Sequence, residues 1–208
     1  MEQIRQFVSA ALAGMIIAIG GIAFLTVEST LLGSMLFVIG LFAIVTFKLQ
    51  LFTGKVGYIF TEKPIYLLEV GITLLGNFFG TMITAKLVLF TRHAEALLAR
   101  LEPIIVAKGG DALSSIFILG IFCGILMFLA VDGYRTAENA NMKIVALFMP
   151  IVVFILSGFE HVIANMFFFN LNGNITLEVV TFLLVNTLGN AVGAFIIPTY
   201  LQVFKIRK

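Results

Sequence analysis

One histidine of the two in this sequence, His161, sits inside an apolar run from Ile144 to Phe169, in the string Ser157-Gly158-Phe159-Glu160-His161-Val162-Ile163-Ala164-Asn165-Met166-Phe167. An imidazole exchanges a proton near neutral pH or donates a hydrogen bond to an anion. The plainer alternative is an interior histidine bonded to a carbonyl. An ionisable group at bilayer depth costs ~2.5–3.5 kcal/mol on insertion scales and usually faces a protein interior or a water-filled path. Gly158 permits an unusual backbone just before the Glu160–His161 pair. Asn165 follows His161 by four positions, on one helical face, and either anchors the imidazole or lines a path. Glu160, adjacent to His161, points elsewhere if the segment is helical; it is expected to face a neighbouring span or subunit and hold a loop N–H.

Other groups join this set. Phe47-Lys48-Leu49-Gln50-Leu51-Phe52-Thr53-Gly54-Lys55 interrupts a second apolar run with polar residues. Thr53-Gly54 is expected to form a loop that re-enters a helix at about Val56, with the Thr53 hydroxyl offered toward His161. Lys108, just before another apolar run, is either an interfacial lysine that snorkels or a cation that draws anions to a mouth. Phe37, Leu41, Leu51 and Phe154 are lining candidates whose alternative is core packing. No paired carboxylates, metal-ligand spacing, phosphate-binding loop or nucleophile–base pair is present, so the reading includes no enzyme, cofactor, metal or nucleic acid.

The elements that must position these groups are membrane spans. The chain has 208 residues, 61% hydrophobic and 12% charged, with mean hydropathy +1.12, against about 25% charged in soluble domains. Single Cys123 allows no disulfide framework. Six apolar segments are long enough to cross a ~30 Å hydrocarbon core: Phe7 to Thr26, Leu31 to Phe47, Ile65 to Phe90, Leu113 to Val131, Ile144 to Phe169 through the Gly158 break, and Val179 to Phe204. The first is read as a retained span rather than a signal peptide. Thr91 to Leu113 reads as a polar connection with a short amphipathic helix. With the N-terminus inside, nine Lys and Arg (Arg5, Lys48, Lys55, Lys63, Arg135, Lys143, Lys205, Arg207, Lys208) fall inside and four (Lys86, Arg92, Arg100, Lys108) outside. That bias places both termini in the cytoplasm, with the chain in the cell (inner) membrane.

An internal repeat organises the spans. Leu75-Gly76-Asn77-x-x-Gly80-x-x-Ile83 matches Leu188-Gly189-Asn190-x-x-Gly193-x-x-Ile196, and Gly14-x-x-x-Ala18 matches Gly120-x-x-x-Gly124. Small residues four apart let helices approach closely, and Asn77 and Asn190 are expected to lend structural support. Two halves of three spans, about 7–92 and 112–204 of a single domain covering 1–208, run in opposite directions. This is the inverted-repeat plan, with sites near mid-membrane on discontinuous helices. The expected fold is an all-α membrane protein of six transmembrane helices, broken in the second and fifth.

At Phe159-Glu160-His161-x-x-Ala164-Asn165-Met166-Phe167 the sequence resembles the formate–nitrite transporter family. Leu51-Phe52-Thr53-Gly54 resembles that family's second-span loop, and Gly120 to Val131, with Leu129-Ala130, its fourth-span signature. The resemblance covers about Gly14 to Tyr200. It implies an aquaporin-like protomer in a homopentamer, each protomer with its own pore for small monovalent anions such as formate, nitrite or hydrosulfide, or for their acids. It further implies that His161 is the central pore histidine, Thr53 the loop threonine facing it, and Lys108 the vestibule lysine. Phe37 and Phe154 would form the outer constriction, Leu41 and Leu51 the inner one. The sequence departs from the family pattern in three places. Lys48-Leu49-Gln50 replaces Gly-small-acidic, Gly124 replaces Asn, and six residues precede Phe7 where an amphipathic helix is usual. These bear on substrate identity and gating. A neutral-solute pore of the same architecture, or a membrane protein that transports nothing, remains as an alternative.

Overall fold

The computed structural model describes residues 1–206; Arg207 and Lys208, counted above toward the inner side, lie outside the described residues. Among the described residues every regular element is helical, the arrangement that satisfies backbone groups within the segment where water is absent. α1 spans Glu2–Thr26, α2 Thr30–Phe47, α4 Ile65–Val88, α6 Leu113–Thr136 and α9 Leu177–Val203. These five are long and apolar enough to cross a membrane. The shorter elements are α3 (Phe52–Lys55, continued by a 3-10 turn over Val56–Tyr58), α5 (Ala94–Gly109), α7 (Ala140–Leu156) and α8 (Val162–Asn172).

Helix ends differ from the expected spans where polar groups cap or extend them. α1 begins at Glu2 rather than Phe7, so the residues ahead of Phe7 continue the span. The Gln6 side chain donates to the Glu69 carbonyl (2.7 Å) and the Thr73 hydroxyl (3.2 Å), tying that first turn to α4. α6 continues past Val131 to Thr136. α7 begins at Ala140 rather than Ile144, under an Asn139 cap that accepts from the Met142 N–H at 2.9 Å. α9 begins at Leu177 rather than Val179, with the Thr176 hydroxyl accepting from the Val179 N–H, and ends at Val203 rather than Phe204. α4 ends at Val88 rather than Phe90.

Two short helices enter the interior by similar routes. α2 stops where Lys48 takes a left-handed conformation, φ 55°, and α7 stops before Gly158 at φ 67°. The chain then extends before turning helical again, at Phe52 in the first case and Val162 in the second. The first re-entry precedes the expected Val56, so Thr53 and Gly54 lie in the helical turn rather than in the loop ahead of it. Asn77 explains this register. Its Oδ1 accepts the Phe52 N–H at 2.9 Å, while its Nδ2 donates to the carbonyls of Ala10 (2.8 Å) and Gln50 (2.9 Å). Asn190 makes the matching set: Oδ1 accepts from the Val162 N–H (3.0 Å), and Nδ2 donates to the carbonyls of Gly120 (2.9 Å) and Glu160 (2.7 Å). Each asparagine is fully buried and takes the first N–H of a short helix, one of the donors that a helix start leaves orphaned.

α1 packs along α4 and α6 along α9. A side chain at Gly80 would strike the Ala11 carbonyl, and one at Gly193 the Ile121 carbonyl. Both obstacles are backbone and cannot swing aside. We expect Gly193→Ala to lower stability by about 1–3 kcal/mol, the usual range for overpacking. Gly71→Ala, where nothing lies within 4 Å, should be nearly neutral. Thermal unfolding of the two variants in mild detergent checks this, and equal midpoints would refute the close-packing argument.

The polar connection becomes α5, which lies over one end of the bundle. Leu97 and Leu101 are buried beneath it, and Arg100 donates to the carbonyls of Val27 (2.7 Å) and Glu28 (3.1 Å) in the α1–α2 turn. This docking sets the position of Lys108 in its last turn.

Candidate functional site

His161 is the N-cap of α8. Its Nδ1 accepts the Ala164 N–H at 3.2 Å, filling one of the orphan donors of the helix start. A nitrogen accepting from a backbone N–H carries no proton itself. The proton of the neutral ring is therefore assigned to Nε2, which lies 3.1 Å from the Thr53 hydroxyl oxygen. Thr53 accepts that bond and keeps its own hydroxyl proton to donate onward. A contact is thus made between the two re-entrant turns, deep in the protein: Thr53 and His161 are both almost wholly buried.

Aromatic rings close around the imidazole. Phe154 lies 5.6 Å from it, centroid to centroid, with the planes tilted by 30°. Phe37 meets Phe154 edge-on at 6.1 Å. Beyond these rings a cavity of about 210 Å³ extends past Phe168 and Asn165 to Lys108. At the opposite mouth a second cavity, about 320 Å³, ends at Leu51 and Ile44. Leu41, one turn along α2 from Phe37, lines neither cavity, nor does Thr53. The two chambers share no lining residue, and His161 itself borders the first.

The structure revises three expectations about the polar groups. Lys108 is not a lone cation: its ammonium lies 2.5 Å from the Glu160 carboxylate, and both side chains are largely buried. Glu160 holds no loop N–H with its carboxylate, which meets Lys108 of α5 and Asn165 of α8. The segment is extended at this point, so the reasoning that separated adjacent side chains by a helical step does not hold there. Its N–H donates to the Leu119 carbonyl at 3.3 Å, and its own carbonyl accepts from Asn186 and Asn190. Asn165 does not anchor the imidazole. Its Nδ2 donates to the Glu160 carboxylate (2.7 Å) and to Asn186 Oδ1 (2.8 Å).

Sequence reasoning passed over Asn186. It sits four positions before Asn190 on the same face of α9, and that spacing was its available signal. Gln50 and Lys55 were also passed over as a pair. Lys55 Nζ donates to Gln50 Oε1 at 2.9 Å and pairs with Glu69 at 3.0 Å. Among the described residues no three His, Cys, Asp or Glu side chains gather as metal ligands would.

Comparison with known proteins gives the site its context. Formate channel FocA of Haemophilus influenzae is 28% identical over 183 residues, which are 77% of this chain and 64% of that protein. Formate channel FocB of Escherichia coli is 26% identical over 185 residues, covering 80% of this chain and 66% of its own length. An uncharacterised transporter of Bacillus subtilis, YrhG, is 31% identical over 152 residues, 67% of this chain and 56% of that one. The chain thus spans about two thirds or less of the length of these relatives. A solved structure described as a pentameric formate channel with formate bound superposes with TM-score 0.82 at 25% identity, over 99% of this chain and 98% of that one. An FNT family ion channel superposes at 0.85 and 23% identity, over 99% and 91%. The formate/nitrite transporter profile matches residues 1–204. With its apolar helices and this match along nearly its whole length, the chain is a multi-pass membrane protein that belongs to the formate/nitrite transporter family.

Proposed function

We propose that the protein is a transmembrane channel for small monovalent weak-acid anions (formate, nitrite or hydrosulfide), passed as the neutral acid with help from His161. The observation that carries this reading is the neutral imidazole bonded to Thr53, bordering one of two chambers that share no lining residue. An anion entering this region loses its water, which is costly without a compensating partner. Desolvation favours its protonated form, and a proton held between His161 Nε2 and the Thr53 hydroxyl lies where it would be needed. Phe37 and Phe154 form one constriction, Leu41 and Leu51 the other.

The matching bonds of Asn77 and Asn190 support a protomer of six spans in two inverted repeats, with the second and fifth broken. In this pairing Lys48 corresponds to Gly158, Gln50 to Glu160, Leu51 to His161 and Phe52 to Val162. The exposed apolar residues Leu75, Leu87, Leu184 and Leu188 would meet lipid or neighbouring protomers in a homopentamer, the assembly of the formate-bound neighbour. The Lys and Arg bias supports cytoplasmic termini in the cell membrane.

One observation favours a neutral-solute pore instead: the cation at the Lys108 mouth is offset by Glu160. Stopped-flow uptake into proteoliposomes separates the two readings. We expect formate, nitrite or hydrosulfide to enter faster than glycerol, and faster than in empty liposomes. Glycerol flux without weak-acid flux would overturn the anion reading.

A further inference from the structure

We propose that Tyr58 and Asp132 are positioning residues for the Thr53–His161 contact: their bond straps the first re-entrant turn to the half of the chain that carries the histidine. The use of that strap in transport rests on the channel reading above.

The two re-entrant elements differ in how well they hold themselves. α8 has eleven residues and is almost wholly buried. α3 has four, continued by the 3-10 turn over Val56–Tyr58. So short a helix is not stable by itself and depends on tertiary support. The place of Thr53 is therefore set by whatever grips this element. Several grips come from its own half. Asn77 takes the Phe52 N–H, the Tyr66 hydroxyl donates to the Lys55 carbonyl at 3.2 Å, and Glu69 pairs with Lys55 Nζ at 3.0 Å. All of these fix the turn to α4. None of them sets its distance from His161, which belongs to the other half.

The Tyr58 hydroxyl reaches that half. It donates to Asp132 Oδ1 on α6 at 3.0 Å. Its ring lies 5.7 Å from that of buried Phe128, and the Arg135 guanidinium stands 5.4 Å from its centroid. Phe128, Asp132 and Arg135 follow one another at i, i+4 and i+7 along one face of α6, so the phenol sits in a continuous socket. Gly57 permits the approach, since a side chain there would meet the Ala194 carbonyl at 2.7 Å and the Phe128 ring at 3.0 Å.

The second half shows what the hydroxyl adds. Phe168 follows His161 at the spacing by which Tyr58 follows Leu51, and it too rests its ring on the crossing helix of the opposite half, on Phe24 of α1 at 6.4 Å. Two rings suffice there, where the re-entrant helix is long. The short element carries a hydrogen bond to a carboxylate instead, roughly twice as strong as a neutral one. Thr53 lies little more than a helical turn away, and its own bond to His161, at 3.1 Å, leaves little room for drift.

The test uses the full-length chain with ring-labelled histidine. His93 is exposed and is replaced, His93→Gln, so that the ¹⁵N signals belong to His161. Tyr58→Phe keeps the ring on Phe128 and removes only the hydroxyl; Asp132→Leu cuts the same bond from the other side. In both, the Nε2–H signal should shift and broaden as its bond to Thr53 loosens. Asp132→Asn keeps an acceptor oxygen and should return the signal toward that of the wild type. In proteoliposomes the maximal formate flux of Tyr58→Phe should fall on the order of tenfold, less than the ~10²-fold that a 1 Å misplacement can cost, with the half-saturating concentration unchanged. An unmoved Nε2 signal in both Tyr58→Phe and Asp132→Leu overturns the positioning role, whatever happens to flux, and leaves the channel reading standing. A moved signal with wild-type flux overturns the use of the strap in transport. A moved signal with no formate flux in the wild type either keeps the strap and overturns the channel reading.

Discussion

Lys108→Met alone should destabilise the protein more than Lys108→Met combined with Glu160→Gln. The single change leaves a carboxylate that is 8% exposed with its nearest cation gone. Removing one partner of a buried pair costs about 3–5 kcal/mol, whereas removing both charges is often close to neutral. Asn186 and Asn190 still hold the loop in the double variant, since they bind the Glu160 carbonyl rather than its side chain. Unfolding midpoints of the single and double variants in mild detergent give the coupling directly. Additive losses would mean that the pair is not an energetic unit. Transport should follow the charge left behind. Lys108→Met exposes a bare carboxylate to the chamber and should slow anion entry there, whereas Glu160→Gln frees the ammonium and should speed it. Equal changes for glycerol and formate would point to damaged packing instead.

The Lys108–Glu160 pair also marks where the sequence stops being readable. The string around His161 carries its own signals: a glycine before a break, an ionisable residue in an apolar run, and an asparagine one helical turn on. The two Leu-Gly-Asn-x-x-Gly strings likewise announce two similar helices that pack closely. Long-range polar partners leave no such trace. Nothing near Lys108 points to a carboxylate that lies far along the chain, and the position of Glu160 depends on its segment being extended. The start of the first re-entrant turn was misplaced for a related reason. Leu49, Leu51 and Val56 are equally apolar, so patterning cannot fix which residue begins the helix. Asn77, reaching in from α4, decides that it is Phe52. The left-handed Lys48 is invisible for the opposite cause, because lysine gives no hint of a conformation that glycine would advertise.

His161→Asn should keep the fold and change how flux depends on pH. Asparagine is a good N-cap, and its side-chain oxygen can take the Ala164 N–H that Nδ1 accepts now. Its amide N–H can still reach toward Thr53. What it lacks is a proton to give and recover. If the imidazole supplies or relays that proton, the loss of a positioned acid–base group should lower weak-acid flux by about 10²-fold, the low end of such contributions. The pH profile should change as well. Wild-type flux combines ionisation of the substrate with the state of the imidazole, whereas the variant should follow the substrate alone. Uptake of formate into proteoliposomes across roughly pH 5–8, the range where an unperturbed imidazole titrates, reads both effects together. The cap argument makes the test fair, since the oligomer and the thermal midpoint should match the wild type. Matching profiles and rates in an intact variant would leave His161 as an architectural cap, with proton delivery to be sought in water.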